Sequence, residues 1–386
     1  MDKQEWSSFA TGEGEAGYRT SLLPSLRDSN AIVMDCDGTL VEISHSYDEA
    51  IYTTVELIFQ SITSRRPERE ALVEAAFELR RSGGFNNDWD TVHAILMGLL
   101  SGLPDAALER LVKHLSKWGD RPLTLLALLG SGCVSEGYDD QEVLEGLRDV
   151  VTYADEGGTR SVDHGLEKLY KGKDKLELLR QLKTLLRFPG MPDQSLIAGL
   201  FDELYLGSPL YQRVYGLKPS LHVTRGLIED ESLIVKKDTL VYMKRRFNGG
   251  LGLTTGRTRP AAEKTIGHLL REFFCEARAL TFSDDLFEEY ERRKANGVNV
   301  WPGKPDPYAL QRTMEGLQGY RRLIFVGDSM EDLMMCSKMD GFGDSILFVG
   351  VYKHTINPKA TAKIFLDNRA AAVLPTINEL KELLGD

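Results

Sequence analysis

Cysteine is scarce in this chain of 386 residues, and the four present (Cys36, Cys133, Cys275, Cys336) stand far apart with no C-x-x-C pair. That spacing speaks against a disulfide framework or a cysteine zinc site and fits a reducing compartment. Long apolar runs are missing too: ILMGLL and LTLLALLG fall well short of the ~20 residues that a spanning helix needs. The opening stretch MDKQEWSSFATGEGEAGYRTSLLPSLRD mixes acids, Gly and Ser, so neither a leader nor an anchor is read there and residues 1–28 are expected to be a tail. A basic surplus is absent as well, with 47 Lys+Arg against 58 Asp+Glu and a net charge of -11. Such an acidic balance argues against nucleic acid or a membrane surface as the main partner. No internal repeat is present. What remains is 42% apolar residues, enough for more than one core, and a soluble cytoplasmic protein is expected.

Strand-like runs ending in Gly, Asp, Ser or Thr occur at AIVMD (31–35) and then far downstream, at GLGLTTG (250–256), ARALTFSDD (277–285), RLIFVGDS (322–329), SILFVGV (345–351) and AAAVLP (370–375). Amphipathic stretches such as AAEKTIGHLLREFF and PYALQRTMEGL lie between the downstream runs. Apolar strands alternating with helices imply an α/β fold, a doubly wound parallel sheet covered on both faces. Ligands of such sheets bind beyond the carboxyl ends of the strands.

About 200 residues separate the first strand from the second, too long for a loop. Their apolar spacing is mostly helical, with Val92, Ile95, Leu96, Leu99 and Leu100 forming one stripe. The expected organisation is a core of residues 29–44 and 233–386 with a large helical domain, 45–232, inserted after the first strand. The stretch from about Gly130 to Gly172, richer in Gly and acids, reads as a flexible excursion.

The chemistry gathers at strand ends. Asp35 and Asp37 are two apart, so both carboxylates face one small volume at the mouth of the first strand. One can attack phosphorus to give an aspartyl-phosphate while the other shuttles a proton to the leaving oxygen. Gly38 and Thr39 allow a sharp turn that points N–H groups at phosphoryl oxygens. The second strand ends in Thr254-Thr255-Gly256-Arg257, offering a hydroxyl and backbone donors; Thr254 competes with Thr255, and the residue directly before Gly256 is preferred. Arg257 either reaches a substrate or pairs with an acid. Gly303-Lys304-Pro305-Asp306-Pro307 holds a lysine on stiffened backbone, where it can balance phosphoryl charge. Gly327-Asp328-Ser329 brings one more acid, and Asp332 follows at a helix start. Four acids in one place require a cation, and hard oxygen donors without His or Cys point to Mg2+ rather than zinc.

In that order, Asp35-x-Asp37-Gly-Thr, Thr255, Lys304-Pro-Asp-Pro and Gly-Asp328-Ser-x-x-Asp332 resemble the four motifs of the haloacid dehalogenase superfamily. The likeness covers somewhat under half of the chain. The helical insertion after the first motif is similar to the C1-type cap of its phosphoglycolate-phosphatase-like branch, subfamily IA, although it is larger than usual there. Within it, Gly83-Gly84-Phe85-Asn86-Asn87-Asp88-Trp89-Asp90 and Glu203-Leu-Tyr-Leu-Gly207 resemble a subfamily whose members are mostly uncharacterised. The resemblance implies that Asp35 is the nucleophile, Asp37 the general acid and base, and Thr255 and Lys304 phosphoryl binders. It also implies a magnesium ion held by Asp35, the Asp37 carbonyl and Asp328, with Asp332 in the outer shell.

Substrate selection is expected in the insertion, where Asn86, Asn87, Asp88 and Trp89 offer carboxamides, an acid and an indole to a polar leaving group; the plainer roles are capping and packing. His45, His93 and His164 are read as structural, because the chemistry already has a proton shuttle. The expected activity is Mg2+-dependent hydrolysis of a small phosphorylated metabolite. The alternatives are a sugar phosphomutase on the same fold and a non-catalytic binding protein derived from a phosphatase. Dehalogenases of the superfamily lack the second aspartate, so Asp37 argues against that reaction.

Overall fold

The computed structural model describes residues 6–85, 87–119, 124, 137–274 and 277–385. The chain divides into two compact units: Met1–Ser44 with Glu231–Asp386, and the inserted His45–Asp230.

The first unit is built on an eight-stranded sheet. Its strands in chain order are β1 (Trp6–Thr11), β2 (Gly14–Arg19), β3 (Ala31–Met34), β6 (Leu251–Thr254), β7 (Leu280–Thr281), β8 (Leu323–Gly327), β9 (Ile346–Val351) and β10 (Ala372–Leu374). They lie in the order β1-β2-β10-β9-β8-β3-β6-β7. From β10 to β7 all pairs are parallel. A small second sheet pairs β4 (Val41–Glu42) with β5 (Ser232–Leu233), antiparallel.

Every residue of β3, β6, β8 and β9 is buried, as continuous apolar runs demand. Alternation divides them between two cores: Ile32, Met34, Ile324 and Val326 pack on one face, and Ala31, Val33, Phe325 and Phe348 on the other. Each such side chain contributes about 1.5–3 kcal/mol on leaving water. Helices α11 (Lys237–Arg246), α12 (Arg259–Phe273), α13 (Ser283–Ala295), α14 (Tyr308–Glu315), α15 (Met330–Ser337), α16 (Pro358–Asp367) and α17 (Leu380–Leu384) connect or follow these strands.

The expected tail is instead ordered from Trp6. β1 and β2 form a hairpin whose second strand joins β10 antiparallel, and helix α1 (Leu23–Asp28) leads into β3. An edge hairpin buries few residues, so its sequence carries no apolar run; only Ala16 of β2 is buried. The return from the insertion also comes slightly earlier than expected, because Glu231 and Ser232 are tied to the first unit by Arg257 and by Glu42.

The second unit is helical: α2 (Glu49–Thr63), α3 (Arg69–Arg81), α4 (Asp88–Ser101), α5 (Asp105–Ser116), α6 (Asp140–Val151), α7 (Thr159–Tyr170), α8 (Asp174–Leu185), α9 (Leu196–Leu206) and α10 (Ser208–Tyr215). Helix α4, buried almost all round, packs closely on α6, where a Cβ added at Gly98 would lie 2.9 Å from the Leu147 backbone. The stretch read as a flexible excursion is therefore corrected over its described part, since α6 and α7 occupy it. Val143, Leu144, Leu147 and Val150 supply a buried stripe that the acids on the other face obscure. No helix among the described residues is long and apolar enough to cross a membrane.

Candidate active site

The site lies at the carboxyl end of β3, between β6 and β8. Asp35 is the first residue past the strand, and its backbone N–H still donates to the Val326 carbonyl at 2.9 Å, which fixes it in register with β8. The chain then turns sharply: Gly38 has φ +69° and donates to the Val41 carbonyl at 2.8 Å. Glycine is needed there twice over. The positive φ disfavours other residues, and a Cβ at this position would overlap Asp328 Oδ2. Thr39 is wholly buried, and its hydroxyl has no hydrogen-bond partner among the described residues.

β8 delivers Asp328 and Asp332. Ser329 caps α15, and Asp332 returns the bond, its Oδ2 accepting from the Ser329 hydroxyl at 2.7 Å. Oxygen atoms of Asp35, Asp328 and Asp332 lie within 4.8 Å of one another. Lys304 reaches the same place through a cis Lys304-Pro305 bond. Its ammonium donates to Asp35 Oδ1 and lies 2.6 Å from Asp332 Oδ1.

Burial pushes the Asp35 carboxyl up to about 8, with Asp332 and Asp37 adding to the rise and Lys304 opposing it. Burial pulls Lys304 down, but Asp332 and Asp35 more than offset this and hold its pKa above the usual lysine value. The Lys304 ammonium thus touches two of three clustered carboxylates, Asp35 and Asp332. The donor set is all hard oxygen, largely withdrawn from water and short of positive charge, which fits a magnesium ion.

The second strand resolves the two threonines. Thr254 bonds Thr313 Oγ1 at 2.8 Å, in a buried hydroxyl ladder that continues to Thr281 at 2.7 Å. Thr255 Oγ1 instead accepts from the Arg257 backbone N–H at 3.1 Å. A Cβ at Gly256 would meet nothing within 4 Å, so the backbone there is open to approach.

Of the two roles open to Arg257, the structure shows the pairing with acids. The residue is 1% exposed, and its guanidinium turns inward rather than toward a substrate. Nε donates to Asp37 Oδ1 at 2.6 Å, while the two terminal nitrogens donate to Glu231 Oε2 and Oε1 at 2.7 and 2.9 Å. Glu231 Oε2 also accepts from Thr265 Oγ1 at 2.5 Å. Arg257 therefore holds the Asp37 carboxylate from behind. Glu231 and Thr265 are partners that the sequence reading missed; an acid at the end of a long insertion and a helical threonine carry no signal for it.

Within the inserted unit, the residues expected to select a substrate have structural partners. Asn87 is the N-cap of α4, accepting from the Trp89 backbone N–H at 2.9 Å. Asp88 accepts from Arg80 at 3.2 Å, and Trp89 Nε1 donates to Asp202 at 3.1 Å. Asn86 lies outside the described residues. The Glu203-Leu-Tyr-Leu-Gly207 motif is likewise architectural: buried Glu203 accepts from the backbone N–H groups of Ser220, Leu221 and His222 at 2.6–2.9 Å. His93 is fully buried and stacks on Phe188 with ring centroids 4.4 Å apart.

No family model and no curated protein matches the sequence. Solved structures do. A crystal structure from a structural genomics consortium aligns over 92% of this chain and 98% of its own, with 18% identity and a TM-score of 0.58. Phosphatase Tt82 from Thermococcus thioreducens aligns over 86% of this chain and 98% of its own, at 21% identity and a TM-score of 0.46. A conserved haloacid dehalogenase-like protein of unknown function from Agrobacterium tumefaciens aligns over 92% and 97%, at 11% and 0.36. With a parallel sheet whose central strand ends in Asp35-x-Asp37, the other motif residues at neighbouring strand ends, and a helical unit inserted directly afterwards, this chain has a haloacid dehalogenase-like α/β fold.

Proposed function

We propose that this protein is a Mg2+-dependent phosphatase that hydrolyses a small phosphorylated metabolite through an aspartyl-phosphate on Asp35. The observation that carries the reading is the convergence of Lys304, Asp328 and Asp332 on Asp35, with Asp37 two residues on and fixed by Arg257.

A carboxylate oxygen of Asp35 attacks phosphorus, and the bond from phosphorus to the leaving oxygen breaks. Asp37 gives that oxygen its proton. Water then attacks the phosphoryl group while the ionised Asp37 takes its proton, the bond from phosphorus to Asp35 breaks, and inorganic phosphate leaves. Lys304 and the backbone donors near Gly38, Thr39 and Gly256 would stabilise charge on the phosphoryl oxygens, with the Thr255 hydroxyl beside them. Asp35, Asp328 and the Asp37 carbonyl would hold the magnesium ion, with Asp332 behind them. When bound, the ion offsets the repulsion between the carboxylates and an incoming phosphate dianion. The inserted helical domain would choose the leaving group.

The test is release of inorganic phosphate from a panel of phosphate monoesters, with Mg2+ and with chelator. Activity that needs Mg2+ and disappears in Asp35→Asn is expected. An Asp35→Asn protein as active as the parent would refute the mechanism, and an isomeric phosphorylated product in place of free phosphate would assign a mutase instead.

A further inference from the structure

The three strands that carry Asp35, Thr255 and Asp328 at one end are entered, at the other end, by segments rich in arginine. Arg27 and Asn30 precede β3, Arg245, Arg246 and Asn248 precede β6, and Arg321 precedes β8. Together they line an open cavity of about 490 Å³, with Asp28 as its one acid. Four guanidinium groups converge here on a chain whose net charge is -11. Strands of this length put the cavity about 13–17 Å from the catalytic edge.

Part of this charge has a structural use. Helices α1 and α11 both end here, and Arg246 donates to the carbonyl oxygens of Arg27 and Ser29, which neutralises helix ends. Asp28 is already paired with Arg322 at 2.8 Å. The side chains of Arg27 and Arg245 have neither an ion-pair nor a hydrogen-bond partner among the described residues, and both are exposed. They exceed what the helix ends require.

The frame around them is fixed. Asn30 ties the three segments together: its Oδ1 accepts from the Arg321 backbone N–H at 2.8 Å and its Nδ2 donates to the Gly319 carbonyl at 3.1 Å. Its own carbonyl accepts from Gly249 N–H at 2.7 Å. Guanidinium forks match phosphate oxygens, and the braced backbone fixes the points from which they reach. We propose that this edge is a second ligand site, taking a small phosphorylated anion that carries at least two negative charges. The site does not depend on the reaction assigned to Asp35, and the acidic balance elsewhere disfavours a nucleic acid occupant.

Titration calorimetry with inorganic pyrophosphate tests this. The full-length Asp35→Asn protein in EDTA is used, so that the catalytic edge lacks both its nucleophile and any metal that would attract an anion. Saturable binding of one pyrophosphate per chain is expected. Arg27→Ala and Arg245→Ala should each weaken it about tenfold, and Asp328→Asn should leave it unchanged. Both arginines are exposed and unpartnered, so the variants should keep the parent's melting temperature. Absence of saturable binding, or binding undiminished in the Arg27→Ala/Arg245→Ala double variant, overturns the proposal. So does a single-stranded RNA oligonucleotide that binds more tightly than pyrophosphate at the same salt concentration.

Discussion

Arg257 Nε donates to Asp37 Oδ1 at 2.6 Å from a side chain with no solvent exposure, and the same guanidinium grips Glu231 on its other side. Truncating it removes the support of Asp37 and strands the buried Glu231 carboxylate. Arg257→Met should destabilise the fold by about 3–5 kcal/mol in denaturant unfolding, chiefly through uncompensated Glu231. Adding Glu231→Gln should recover much of that loss. Activity should separate from stability: kcat stays down by about tenfold or more in the double variant, with KM little changed, because Asp37 still lacks its anchor.

Three carboxylates within 4.8 Å of one another, balanced by one ammonium, predict that the folded state gains from a divalent cation. Thermal unfolding should shift upward with Mg2+, by the equivalent of about 2.7 kcal/mol at a hundredfold excess over Kd. The shift should vanish on chelation and in Asp328→Asn. An equal shift in that variant would place the ion elsewhere.

At Gly38 the backbone and the Asp328 carboxylate make the same demand. Gly38→Ala has to accept a positive φ, costing about 1–2 kcal/mol, and must also displace Asp328. Phosphate release should fall about a hundredfold, and half-maximal activity should need more Mg2+ than in the parent. A strained turn that leaves Asp328 in place would give the stability loss without the second effect.

His93 is buried, and neither ring nitrogen has a hydrogen-bond partner among the described residues. Burial lowers its pKa to about 3, with Lys183 adding to the shift. Between pH about 3 and about 6.5 the unfolded chain therefore binds more protons at this position than the folded one, so the histidine costs stability as pH falls through that window. Asp90 and Asp202, each raised to about 7 chiefly by burial, slope the other way, losing stability as pH rises from about 4 to about 7. His93→Phe keeps the stack on Phe188 and removes only the first slope. Chemical unfolding at pH 7 and pH 4.5 should show the variant more stable by about 1 kcal/mol at the higher pH and by a larger margin at the lower.

The site was legible in the sequence where chemistry and strand ends coincide. Asp35 and Asp328 follow apolar runs, Lys304 follows Pro302-Gly303 and Asp332 comes four residues after Asp328, and the four meet as expected. Thr254 is committed to Thr313, which leaves the Thr255 hydroxyl at the strand end. The edge hairpin was not legible, because half-exposed strands of Ser, Gly and Glu lack an apolar signature. Nor was Arg257: its neighbours in sequence say nothing of Glu231, which arrives from the far end of a long insertion.

What the sequence by itself determined is the parallel sheet, the insertion and the residues that line the carboxyl edge of the strands. Strand period and motif order act over a few residues, and they are written locally. Only the tertiary structure decided which way Arg257 points, that Asn87 caps a helix while Asp88 pairs with Arg80, and that arginines from three segments gather at the opposite edge. These depend on contacts between segments distant in the chain, where burial and pairing, not local pattern, select the partner.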